Sequence, residues 1–150
     1  MRYKDLQYIR QIELIENSPL FDNSKGNGYF MGKERAFVLQ TPTTNLYKPI
    51  RELAIKYFKE NNIDWWRGNS PSGHTLSSQI SCLNHLMPIM KDKKAVLTII
   101  NSIKNEFVTV HPINCDTTPR FIAFEVVSSE KNYLNERNNT RGANCTSVDA

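Results

Sequence analysis

Two acidic residues stand out by their surroundings. Glu125 lies within the apolar run Phe121-Ile122-Ala123-Phe124-Glu125-Val126-Val127, and Asp149 follows Val148 at the start of what reads as a further strand. A carboxylate among apolar residues must be paired, protonated or bound to a cation, because removing its charge from water alone is costly. Two carboxylates on neighbouring strands make an oxygen-ligand site suited to Mg²⁺. A metal held there activates water and stabilises charge on a phosphodiester. The plainer alternatives are that Glu125 faces solvent from an edge position and that Asp149 is a solvated acid.

Between the two acids lies a basic, polar stretch. Lys131, Arg137 and Arg141, the last followed by Gly142, form a loop that either contacts phosphates or stays in water. Elsewhere, His74 with Ser77 and Ser78 invites a hydrolase reading. However, the sequence has no G-x-S-x-G elbow, and helix capping explains these residues more economically. Trp65-Trp66-Arg67 offers rings for stacking on bases, but adjacent side chains diverge, so at least one Trp belongs to the core. Gly26-Asn27-Gly28 is not followed by Gly-Lys-Ser/Thr and is no phosphate loop.

The chain as a whole sets limits on these readings. Its 150 residues fit one domain, 1–150, able to bury a single core. With 39% hydrophobic and 23% charged residues it is globular, and its mean hydropathy of -0.50 favours a polar surface or wet cleft. A net charge of +4 and a pI near 9.0 are compatible with a polyanionic partner without requiring one. Cys82, Cys115 and Cys145 are widely spaced and lack a CxxC pair, so they read as free thiols in a reducing cytoplasm. No apolar run is long enough to span a membrane, and no signal-peptide core is present at the N-terminus.

Several elements must position the candidate residues. Apolar spacing predicts helices over 3–16, from Thr44 or Asn45 to about 61, from His74 or Thr75 to Met87, and from an Asp92 cap to about 102–104. Pro49 falls in the first turn of the second helix, and Pro88 stops the third. Residues 22–28 read as a loop, and 37–39 as a short strand or helical turn. Residues 106–110 alternate as a strand would. Residues 121–127 read as a central strand buried on both faces. Helices followed by strands predict an α+β fold.

Taken in order, Trp66, "SGHTLSSQISCLNHLMPI" (72–89), "FIAFEVV" (121–127), "NYLNE" (132–136) and "RGANCTSVDA" (141–150) resemble a bacterial family of restriction endonucleases in the PD-(D/E)XK superfamily. The motifs cover about half of the chain. The resemblance implies N-terminal helices leading into the first strands of a nuclease core, and Mg²⁺-dependent hydrolysis of DNA. Asp149 falls on the first core acid, with Glu125 as an auxiliary metal ligand. The acid-x-Lys pair of the next strand would follow Ala150. The expectation is therefore an N-terminal part of a nuclease domain, incomplete at its C-terminus and inactive alone, that binds DNA through Lys131, Arg137 and Arg141. Such a chain would pair with a copy of itself or with the missing C-terminal segment. The rival reading is a DNA-binding or protein-interaction module without catalysis.

Overall fold

The computed structural model describes residues 2–66, 68–113 and 118–125. The chain divides into two compact units, Met1–Ser81 and Cys82–Ala150. Among the described residues the fold is α+β: four helices and a two-stranded antiparallel sheet.

In the first unit, α1 (Tyr3–Asn17) opens with the Asp5 carboxylate accepting the Arg2 backbone N–H at 3.3 Å. It stops before Pro19, which cannot continue a helix; Ser18 Oγ accepts the Leu20 N–H at 3.2 Å and caps a short 3-10 turn, Pro19–Phe21. Ile15 and Phe21 pack with Leu39 in a small core cluster. The strands β1 (Gly28–Phe30) and β2 (Lys33–Arg35) then form a tight hairpin.

The segment after β2 runs through the interior. Val38 and Leu39 are buried, and their backbone is bonded on both sides. Gly28 N–H donates to the Val38 carbonyl at 2.8 Å, and Leu39 N–H donates to the Gly73 carbonyl at 2.9 Å. This close approach requires glycine: a Cβ at Gly73 would lie 2.6 Å from the Leu39 carbonyl oxygen, and one at Gly28 would collide with the same atom. Where a short strand or helical turn was expected at 37–39, Phe37 belongs to a turn closed by the Val38 N–H on the Arg35 carbonyl at 3.0 Å, and Val38 makes an isolated bridge with His74.

In α2 (Arg51–Glu60), Ala54, Tyr57 and Phe58 repeat at i, i+3, i+4 and are buried, as the periodicity predicts. Leu53, the apolar residue before Ala54, is 38% exposed. Thr44 and Asn45 do not cap this helix. They belong to a separate 3-10 turn, Pro42–Asn45, and the Asn45 amide donates instead to the Ser72 and His74 carbonyls at 2.8 and 3.0 Å.

The third helix begins later than the sequence predicts. α3 runs Ser78–Leu86, because residues 74–77 form a self-bonded turn in which Ser77 N–H donates to the His74 carbonyl at 2.9 Å. Ser77 Oγ accepts the Ile80 N–H at 3.4 Å, as a cap does.

In the second unit, α4 (Lys93–Ile103) has its predicted cap. Asp92 Oδ1 accepts the N–H groups of Lys94 and Ala95 at 2.9 and 3.0 Å. The two expected strands are not found among the described residues. At 106–110 the chain turns, because Asn101 captures both backbone groups of Phe107: its Nδ2 donates to the carbonyl at 2.9 Å and its Oδ1 accepts the N–H at 3.0 Å. A strand ladder needs those same groups. Residues 121–125 are irregular too. Phe121 N–H donates to the Met90 carbonyl at 2.8 Å, and Glu125 has a left-handed backbone with φ of 50°. Phe124 is nevertheless buried, whereas Phe121, Ile122 and Ala123 are half-buried, so the apolar run is neither a strand nor buried throughout. Residues 126 and 127 lie outside the described residues.

Candidate functional site

Of the acids and bases expected to carry chemistry, the structure describes Glu125; Lys131, Arg137, Arg141 and Asp149 lie outside the described residues. Glu125 is 7% exposed and follows the buried Phe124. The edge-position alternative, in which it faces solvent, is therefore incorrect. Its backbone is left-handed, a conformation uncommon for a non-glycine residue. A buried carboxylate is paired, hydrogen-bonded or bound to a cation. Among the described residues there is no group of three His, Cys, Asp or Glu side chains placed to hold a metal ion.

The one acid-x-Lys triplet in the sequence, Asp92-Lys93-Lys94, is structural. Asp92 is occupied by the α4 N–H groups, and the triplet sits at a helix start rather than on a strand.

His74 is not poised as a base for serine. Its Nδ1 accepts the Leu76 N–H at 3.2 Å, which leaves the ring proton on Nε2, and its own N–H donates to Ser72 Oγ at 3.1 Å. Burial lowers its pKa below the ordinary value, and the Lys4 ammonium acts in the same sense. Its ring is boxed by Phe30 at 4.7 Å, Phe37 at 5.1 Å and Trp66 at 6.1 Å, all edge-on. Tyr8 stacks on Phe37 at 3.9 Å. The neutral imidazole is a structural member of an aromatic cluster, which its sequence position beside Ser77 does not reveal.

The tryptophan pair divides as adjacent residues must. Trp65 is buried and stacks on Phe58 at 4.0 Å, whereas Trp66 is 43% exposed. The Gly68 N–H donates to the Trp65 carbonyl at 3.1 Å, closing the turn on which Trp66 sits.

The second unit holds an apolar groove of about 450 Å³ that the sequence did not signal as a site. Val96, Ile99, Ile100 and Ile103 of α4 line one part, and Phe121 and Ile122 another. Ile103 is 85% exposed. No helix among the described residues is long and apolar enough to cross a membrane.

Over residues 8–150 the sequence matches the family described as restriction endonuclease associating with ARP. The chain belongs to this family. The match covers nearly the whole chain, including the N-terminal third, where the sequence motifs were least distinct. No curated protein and no solved structure matches the chain.

Proposed function

We propose that this chain serves a restriction-endonuclease-like reaction, the Mg²⁺-dependent hydrolysis of DNA phosphodiesters, with the PD-(D/E)XK type of site. The carrying observation is the family match over residues 8–150. The burial of Glu125 supports it, because a carboxylate removed from water requires a counter-charge or hydrogen-bond donors, and a divalent cation is one such partner. In this reading Asp149 and Glu125 bind the metal, which supplies Lewis acidity and an activated water. Lys131, Arg137 and Arg141 contact the DNA backbone. Residues 1–150 alone do not turn over DNA, since their single acid-x-Lys triplet caps α4.

The test is Mn²⁺ binding to the full chain with and without DNA, for the native protein, Asp149→Ala and Glu125→Gln. The expected result is DNA-enhanced Mn²⁺ binding that Asp149→Ala abolishes and Glu125→Gln weakens. Unchanged binding in both variants would remove the metal assignment. Plasmid nicking by residues 1–150 that depends on Asp149 would overturn their inactivity.

A second reading, association with a protein partner without catalysis, has its own support. The family description itself speaks of association with ARP, and the α4 groove is apolar and open.

A further inference from the structure

The β1–β2 hairpin sorts its charges by face. Cross-strand partners share a face, and faces alternate along each strand. The pairs Phe30–Lys33 and Gly28–Arg35 are therefore on one face, and the pair Tyr29–Glu34 is on the other. Both cations of the hairpin lie on the Phe30 face, and its one acid lies opposite. Lys33 and Arg35 are exposed, while the Gly28 position beside Arg35 is covered by the Val38–Leu39 segment, so the open part of this face is its charged strand, β2.

Phe30 joins that face to the exposed indole. Its ring packs on Trp66 at 5.4 Å, and both rings rest against the buried His74. The Trp66 backbone N–H donates to Gln79 Oε1 at 3.0 Å, and Gln79 Nε2 donates to the Asp64 carbonyl at 3.3 Å, so the turn that bears the indole is braced. A half-exposed ring on a fixed aromatic base adjoins a face with two cations and no acid. Those are the parts of a single-strand-binding surface: an aromatic ring for a base and cations for the phosphates. A base within a duplex is already stacked on its neighbours and shows the groove only an edge. A half-exposed indole therefore suits an unpaired base.

We propose that Trp66 and the Phe30–Lys33–Arg35 face bind single-stranded DNA, with one unpaired base stacked on Trp66 and adjacent phosphates on Lys33 and Arg35. This rests on the DNA reading above but not on its metal, so the experiment is run in EDTA. The full chain is titrated with fluorescent oligodeoxythymidylate across a range of salt, and its own tryptophan emission is followed. Because Trp65 is buried, quenching reports Trp66.

Native protein should bind with quenching. Trp66→Ala should weaken binding on the order of tenfold. Lys33→Gln with Arg35→Gln should reduce the slope of log affinity against log salt by about 1.4, at about 0.7 for each single-strand phosphate. Tyr29→Ala and Glu34→Gln, on the opposite face, should bind as the native chain does. Trp66→Phe keeps a ring in the cluster; it should retain most of the affinity while losing the quenching, which guards against misfolding of Trp66→Ala. Native-like affinity and salt slope in the Trp66 and Lys33/Arg35 variants, with DNA binding intact, would overturn this surface alone. Tighter binding to duplex, or to the corresponding RNA, would overturn the unpaired-DNA assignment. No DNA binding by the native chain would overturn the DNA reading itself.

Discussion

Phe30 and Lys33 face each other across the last rung of the β1–β2 hairpin, and the two residues between them, Met31 and Gly32, both have positive φ, 53° and 71°. A two-residue turn of this kind matches the twist of the strands, but it suits Asn-Gly rather than Met-Gly. Met31 is 67% exposed, so its side chain gains little from packing to offset its left-handed backbone.

Met31→Asn should therefore stabilise the chain by about 0.5–1 kcal/mol. The melting temperature should rise by roughly 2–3 °C for a chain of this size. Met31→Val, β-branched in the same conformation, should lower it. An unchanged or lower melting temperature for Met31→Asn would show that the side chain has a packing role that its exposure conceals.

His74 should make stability depend on pH. In the folded chain burial keeps the imidazole neutral and its pKa below the ordinary 6.5. The unfolded chain takes up that proton near 6.5, while the folded chain does so only at lower pH. The contribution is therefore complete above about 6.5 and is lost as pH falls through that value towards the folded pKa. Urea titrations from pH 7.5 to 5.5 should show stability falling in the native chain. The fall should be shallower in His74→Asn, whose amide oxygen can still accept the Leu76 N–H. Equal slopes would mean that the imidazole protonates as readily in the fold as outside it.

Asp92→Ala should cost about 1 kcal/mol by leaving the Lys94 and Ala95 N–H groups without their acceptor. Asp92→Asn should recover most of that loss. The expected reading is a lower urea midpoint at unchanged m-value. A midpoint unmoved by Asp92→Ala would mean that water satisfies the α4 N-terminus equally well.

Elements governed by local interactions were legible in the sequence. The Ala54-Tyr57-Phe58 spacing sets the buried face of α2, Asp92 announces α4, and Pro19 ends α1, because periodicity, caps and proline act within a few residues of chain. Division of the tryptophan pair into one buried and one exposed ring also followed from adjacency alone. Burial of Phe124 was legible in the apolar run, whereas that of Glu125 stood open against an edge position, and the ordered motifs from Trp66 onward pointed to the family that the chain matches.

Conformation set by distant partners was not legible. Asn45 reads as a helix cap but spends its amide on Ser72 and His74, 27 and 29 residues away. Residues 106–110 alternate like a strand, yet Asn101 takes both backbone groups of Phe107. The β1–β2 hairpin has neither the turn dipeptide nor the apolar alternation that would announce it. Hydrophobic pattern reports which residues leave water, whereas the hydrogen-bond partner of each buried backbone group depends on which segments meet. The face shared by Phe30, Lys33 and Arg35 beside Trp66 arises in the same way, from a register and a packing contact between residues more than 30 positions apart.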